Sequence, residues 1–441
     1  MNFSASLPTS EQFVDFFRSV APYIHAFRGE TFVIGFGGEL VQADKLNALV
    51  QDLSLIHVLG IRLVIVHGSR PQVDEQLRLK GLTPNIVGAH RITDLAALEC
   101  AKEAAGEIRL DIEALFSQGL PNTAMQNARV RVIGGNFVTA RPLGVVNGVD
   151  YQHTGLVRKV DADAIRMVLA NNSVVLISPL GFSPTGEAFN LSMEDIAAHI
   201  AIALKADKLM FLTETPSLRD EQGCIITELK HDSAQRMLDA GLIPPVEAEY
   251  LYYLLKACKG GVERTHLVPF EQDGACLLEV FTHDGIATMV TEQALEKLRL
   301  ATNDDVASIL SLIEPLIADG TLVSRGAEVI ERDIELFSLL EHDGKVFGCA
   351  ALYIHSQNMG EMACLTVSIQ AQGTGDGERI LQHIEQRAKS AGLTRLFVLT
   401  TRTMHWFLKR GFKPATLEQL PLERQASYNR GRNSQILIKT L

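Results

Sequence analysis

Between residues 30 and 290 short β-branched runs alternate with longer amphipathic stretches, and this pattern constrains the fold more than any other feature of the chain. The runs at 32–34, 61–66, 174–177 and 209–212 have strand length, and the segments between them have helix length. Such alternation implies βαβ units. A mainly parallel sheet covered by helices is therefore expected, an α/β architecture whose ligand sites lie beyond the carboxyl ends of the strands. Ahead of the first run, Phe13, Phe16, Phe17, Val20 and Ile24 recur at helical spacing, which predicts a helix over 11–27.

Near residues 291–300 the pattern changes. Ala301-Thr-Asn-Asp-Asp305 offers capping side chains ahead of a helix expected over 306–317. Beyond it the chain is β-rich, with strands expected over 345–355, 361–369, 393–400 and 435–439 and a helix over 378–391, enough for one α+β domain. A chain of 441 residues exceeds what one hydrophobic core serves. The expected division is a first domain over 1–290, with residues 1–28 as a separate N-terminal helix, a linker over 291–298 and a second domain over 299–441.

A formal charge of −11 argues against nucleic-acid and anionic-membrane partners, which need clustered positive charge, and leaves small metabolites as the expected ones. No apolar run approaches the roughly 18 residues of a membrane span, and residues 1–6 lack the features of a secretory signal, so a cytoplasmic location is expected. The six cysteines form no C-x-x-C pair, and no metal site is expected.

Chemistry is most legible in Leu365-Thr-Val-Ser-Ile-Gln-Ala-Gln-Gly-Thr-Gly-Asp-Gly-Glu-Arg-Ile-Leu381, which reads as strand, glycine-rich turn and helix. Gln372, Gly375 and Gly377 fit a turn whose backbone N–H groups converge at a helix N-terminus, where the dipole favours an anion such as a pyrophosphate. On these glycines alone an ordinary strand-to-helix turn is an equal reading. With Trp406-Phe-Leu-Lys-Arg-Gly-Phe412 the segment resembles the GNAT acetyltransferase superfamily, in which Q/R-x-x-G-x-G/A is the coenzyme A loop. More narrowly, Gly360-Glu-Met-Ala-Cys-Leu-Thr-Val367, Leu396-Phe-Val-Leu-Thr-Thr-Arg402, His405-Trp-Phe407 and Arg432-Asn-Ser434 resemble the bacterial N-acetylglutamate synthase family of arginine biosynthesis.

That resemblance implies a GNAT fold in which acetyl-CoA, the co-substrate, lies along Cys364, Leu365 and Val367 and against Gln372, Gly373, Gly375 and Gly377. A backbone N–H near Cys364 and Leu365 would polarise the acetyl carbonyl, so Cys364 need not be a nucleophile. It implies Glu361 as the base that takes a proton from the amine of L-glutamate through water, and Thr400 as a hydroxyl near the coenzyme sulfur. Arg325, Arg432 and Ser434 are the implied substrate-binding residues, since two carboxylates need cationic donors. Relatives carry two adjacent arginines where this chain has Ser324-Arg325.

Val33-Ile-Gly-Phe-Gly-Gly38, Val64-Ile-Val-His-Gly-Ser-Arg-Pro-Gln72 and the segment from Asn190 to Thr215 resemble the amino-acid kinase family, which implies an αβα sandwich over the first domain. Working kinases of that family place lysines where this chain has Gly35 and Pro245, and an aspartate where it has Glu194. Without those cations nothing obvious neutralises a transferring phosphate, so the domain reads as catalytically dead. His266, Glu279 and Gly285 resemble the arginine site of arginine-sensitive members, implying L-arginine as a feedback effector and, through the N-terminal helix, a homo-oligomer, specifically a hexamer. Two other readings stay open on the sequence: an N-acetylglutamate kinase with an accessory acetyl-CoA-binding domain, and a non-catalytic arginine sensor.

Overall fold

Side chains alternate across a strand, so a run that is apolar at every position must be covered on both faces. This is how the first sheet is built. Val33, Val64, Val66, Val175, Leu209 and Phe211 enter one core, while Phe32, Ile34, Leu63, Ile65, Val174, Leu176 and Met210 enter another on the opposite face. Helices close both layers, giving an αβα sandwich.

The computed structural model describes residues 9–88, 90–119, 130–214, 218–219, 225–282, 285–292, 296–342, 344–356, 358–368 and 375–441. The chain divides into two compact units, Met1–Gln293 and Ala294–Leu441. In the first, α1 (Ser10–Phe27) begins at a capping box between Thr9 and Gln12. It precedes β1 (Thr31–Phe36), β2 (Arg62–His67), β3 (Val132–Gly134), β4 (Val174–Ile177), α2 (Met193–Leu204), β5 (Lys208–Thr213), β6 (Glu228–Lys230), α3 (Pro245–Lys259), β7 (Arg264–Pro269), α4 (Ala275–Phe281) and β8 (Thr288–Thr291). The eight-stranded sheet has the order β6-β8-β7-β5-β1-β2-β4-β3, and β7–β8 is its antiparallel pair. A smaller four-stranded sheet, formed by residues 138–142, 155–160, 180–182 and 188–190, has no counterpart in the sequence reading.

The second unit contains β9 (Glu296–Leu300), α5 (Val306–Ala318), β10 (Phe337–His342), β11 (Lys345–His355), β12 (Met359–Val367), α6 (Asp376–Ser390), β13 (Arg395–Thr400), α7 (Met404–Leu408), β14 (Lys413–Ala415), α8 (Leu422–Ala426) and β15 (Gln435–Thr440). Its sheet order is β9-β10-β11-β12-β13-β15-β14. Helix α6 buries Ile380, Leu381, Ile384 and Ala388, one helical stripe, against Ala350, Leu352, Met362, Leu396 and Val398. Helix α5 covers the other face through Ile309 and Ile313.

The linker expected over 291–298 is shorter in the structure. Thr291 still belongs to β8, and Glu296 already opens β9, whose residues 296–300 pair antiparallel with Ser338–His342. Arg299 fixes that strand by bonding Glu341 at 2.5 Å and Asp305 at 2.7 and 2.8 Å. A charged strand held by ion pairs carries no apolar signature, so it reads as a linker in the sequence. The five described cysteines, Cys100, Cys258, Cys276, Cys349 and Cys364, are free and buried.

Candidate active site

The second sheet is antiparallel except at one seam. Strands β12 and β13 run parallel and pair only through Met359–Arg395, Gly360–Leu396 and Glu361–Phe397. Beyond Glu361 they separate, with β12 continuing to Val367 and β13 to Thr400. The cause lies in β12. Against β11, Ala363 faces Ala351 and Thr366 faces Cys349, so Cys364 and Leu365 together oppose a single residue. Cys364 takes φ +53°, a left-handed conformation that a β-strand cysteine does not otherwise adopt, and the resulting bulge turns β12 away from β13. A forked strand pair exposes backbone groups that sheet pairing would otherwise consume.

Cys364, Leu365 and Val367 all lie on the diverging arm of β12. Burial pushes the Cys364 thiol above its ordinary range and Glu361 adds to this, against a lowering by Arg325, so the sulfur stays protonated. Gly375 is the N-cap of α6 with φ +97°, and Gly377 lies in its first turn, where an added Cβ would meet the Trp406 ring at 3.3 Å. Gln372 and Gly373 lie outside the described residues.

Glu361 sits at the apex of the fork and is 6 % exposed. Its carboxylate accepts from Arg424 Nε at 2.7 Å and Nη2 at 3.0 Å, a bidentate pair, and stands 3.3 Å from His355 Nε2. Burial raises its pKa, but the bonds from His355 and Arg424 outweigh burial and hold it below the ordinary 4.5. The sequence reading missed both partners. Arg424 lies on α8 within Leu422-Glu-Arg-Gln-Ala426, a short charged segment with no motif to mark it.

Thr400 ends β13 and is buried, and its hydroxyl accepts the Thr403 N–H at 3.0 Å and lies 2.8 Å from Thr403 Oγ1. That turn starts α7. Arg325 donates to Tyr353 Oη, lies 5.2 Å over its ring, and shares an electrostatic environment with Glu361 and Cys364. The structure therefore brings Arg325 to the fork. Arg432 instead donates to the carbonyls of Gly320 and Thr321, in the segment that leads to Arg325. The Ser434 carbonyl accepts from Tyr428 Oη at 2.6 Å, just ahead of β15.

In the first unit, His266, Glu279 and Gly285 meet. His266 Nδ1 is 2.6 Å from Glu279 Oε1, while Glu279 Oε2 accepts the N–H groups of Ile286 at 2.8 Å and Ala287 at 3.0 Å. Gly285 has φ +56°, and a Cβ there would stand 2.5 Å from Glu279 Oε2. Burial opposes ionisation of Glu279, yet His266 and the two amides lower its pKa on balance. His266 Nε2 is buried with no partner among the described residues.

The kinase-like loops are closed to a lysine. A Cβ at Gly35 would meet Met193 Sδ at 2.6 Å and the Phe211 ring at 2.9 Å, and Pro245 is the first residue of α3. Among the described residues no group of three or more His, Cys, Asp or Glu side chains is placed to hold a metal ion, and no helix is long and apolar enough to cross a membrane.

Residues 30–268 match the amino acid kinase family and residues 314–412 the acetyltransferase (GNAT) family. The amino-acid acetyltransferase of Ralstonia nicotianae is 60% identical over 435 residues, covering 98% of this chain and 96% of its own length. The chain belongs to the amino-acid acetyltransferase family. A second relative, from Azotobacter vinelandii, is 48% identical over 97% of this chain and 99% of its own. Among solved structures the chain is similar to N-acetylglutamate synthase from Neisseria gonorrhoeae complexed with coenzyme A and L-arginine, with a TM-score of 0.88 and 38% identity over 97% of this chain and 99% of that one. The same enzyme complexed with coenzyme A and N-acetyl-glutamate matches with a TM-score of 0.62 and 39% identity. The matches agree with the mixed α/β fold and the acetyltransferase class read from the sequence, and neither similar structure is a kinase.

Proposed function

We propose that the chain transfers the acetyl group of acetyl-CoA to the amine of L-glutamate, giving N-acetyl-L-glutamate and free coenzyme A, under feedback inhibition by L-arginine. The forked strand pair with Glu361 at its apex carries this reading. The thioester lies along Cys364, Leu365 and Val367, a backbone N–H polarises its carbonyl, and the dipole at the N-terminus of α6, behind Gly375 and Gly377, favours the pyrophosphate. Glutamate arrives protonated. Glu361, with its charge held by Arg424 and His355, takes one proton from the ammonium, directly or through water. The free amine then attacks the carbonyl, the N–C bond forms, the C–S bond breaks, and the second amine proton ends on the thiolate. Thr400, at the end of β13 with its hydroxyl held by Thr403, relays that proton, giving its own to the sulfur as it takes the one from the amine. Arg325, Arg432 and Ser434 receive the substrate carboxylates, which favour guanidinium forks.

Thiol release from acetyl-CoA, measured with glutamate, ornithine and other amino acids as acceptors and with and without arginine, tests this directly. Release is expected with glutamate and is expected to fall when arginine is added. Equal release with every acceptor would overturn the substrate assignment.

Arg424 supplies a separate check. Its removal relieves the lowering influence on Glu361 and leaves burial less opposed, so Arg424→Gln is expected to move the acid limb of kcat/KM to higher pH. The same sign governs stability. An ionised Glu361 with a depressed folded pKa contributes stability that is present above the unfolded carboxylate value and lost as pH falls through the folded one. Arg424→Gln therefore narrows the acid range in which the second unit stays folded, which acid denaturation reads. An unchanged acid limb would remove Arg424 from that role.

The first unit serves as the arginine-binding regulatory domain, around His266, Glu279 and Gly285, in a cytoplasmic homo-oligomer, specifically a hexamer. Support for assembly comes from α1, where Phe13 and Phe16 are 57% and 60% exposed on one helical face. Phe16→Asp is expected to reduce the molar mass measured by light scattering to that of a smaller assembly. Unchanged mass would exclude this face from the contact.

A further inference from the structure

A cavity of about 490 Å³ opens in the first unit at the carboxyl ends of β1, β2 and β5, well within the size range of small-molecule sites. None of His266, Glu279 and Gly285 lines it, so it is distinct from the arginine-binding residues assigned above. Its charge is the reverse of what a phosphate needs. Five carboxyl groups line the cavity against two guanidinium groups, and no lysine is among the lining residues.

Glu194 and Glu249 flank Arg70, and Glu39 lies in the electrostatic surroundings of Glu194. Arg70 is committed to Glu249, donating through Nη2 at 3.0 Å and Nη1 at 3.4 Å. It stands 3.9 Å from Glu194 Oε2, beyond hydrogen-bond range. Glu194 is 5 % exposed and lines the cavity, and its Oε2 has no hydrogen-bond partner among the described residues. A buried acceptor left in this state costs free energy that a donor entering from the cavity would recover. On the other wall Asp74 Oδ1 forms an ion pair with Arg91 Nη2 at 2.6 Å that lacks hydrogen-bond geometry, and Arg91 Nη1 is also without a hydrogen-bond partner among the described residues. Among the described residues these carboxylates form no group that could hold a metal ion, and the open Glu194 oxygen is an acceptor that suits an N–H donor.

We propose that this cavity binds a small organic cation, whose ammonium group donates to Glu194 Oε2 between Glu39 and Glu249. The ligand class is a primary ammonium on a short chain. Binding favours the ionised form of Glu194, whose carboxyl burial otherwise keeps protonated above its ordinary range. Added salt weakens the complex.

Calorimetric titration of the full chain with 1,4-diaminobutane tests the site. Saturable binding is expected for the wild type and for Glu279→Gln, which alters the other site only. Glu194→Gln keeps the shape and removes the charge, and its dissociation constant is expected to rise about ten-fold or more. Glu249→Gln, at a side chain that is 23% exposed and tolerates change more readily, is expected to weaken binding in the same direction. No saturable heat for the wild type up to about 10 mM, far weaker than ordinary metabolite affinities, would overturn the proposal. So would equal dissociation constants in the wild type and both cavity variants.

Discussion

Replacing Glu361 with alanine is expected to lower kcat by about 10²–10⁴-fold, the usual contribution of a positioned acid–base group, while acetyl-CoA binds with unchanged affinity. The two effects separate because different atoms carry them. In the proposed mechanism the thioester is held by backbone groups on β12 beyond the bulge and by the start of α6, none of which the substitution touches. The proton is taken by a side chain at the apex of the fork, which it removes. Arg424 loses its partner in the variant, but its side chain is 22% exposed and water reaches the guanidinium. Glu361→Gln keeps the volume and one acceptor oxygen, and is expected to lose turnover to a similar extent. Steady-state kinetics at saturating glutamate and calorimetry with acetyl-CoA measure both quantities. An unchanged kcat in either variant would take Glu361 out of the mechanism.

Glu279→Ala is expected to abolish arginine inhibition while synthesis without arginine continues, because Glu279 lies in the first unit and the fork in the second. The structure adds a cost that the sequence did not announce. Glu279 bonds His266 and two backbone N–H groups at once, so its removal takes a partner from each and destabilises the unit by about 2–5 kcal/mol. Thermal denaturation should therefore show a lowered midpoint for the first unit beside the altered inhibition curve. Glu279→Gln retains one oxygen and is the milder probe. Equal arginine sensitivity in the wild type and both variants would exclude Glu279 from the effector site.

Much of the fold was legible because it is written in periodicities. Continuous apolar runs at 63–66 and 209–212 can be satisfied only in a sheet covered on both faces, and the stripe in α6 only by packing on one. The four-stranded sheet around residues 138–190 escaped because its strands are short and partly polar, with no run long enough to register. Strand β9 escaped for the related reason that ion pairs hold it.

The sequence reading names candidate site residues one by one but not the connections between them. Glu361 and Arg424 stand 63 residues apart, and nothing local to either position indicates the other. Cysteine carries no preference for the left-handed conformation of Cys364, so the bulge that opens the fork emerges only when β11 and β12 are paired. Glu279 shows the converse. Its sequence context suggests a carboxylate directed at a ligand, whereas in the structure both its oxygens are engaged, by His266 and by the N–H groups of Ile286 and Ala287. Glu194 looked like a lost catalytic aspartate, and its unpaired oxygen became visible only beside Arg70 and Glu249.

The claim that glutamate attacks the thioester directly within the fork meets its most direct test in initial velocities measured while glutamate and acetyl-CoA are varied together. Direct attack requires both substrates on the protein at once, so intersecting double-reciprocal lines are predicted, with N-acetyl-L-glutamate and coenzyme A formed in equal amounts. Parallel lines, the pattern of an acetylated enzyme intermediate, or thiol release that does not depend on glutamate, would contradict it.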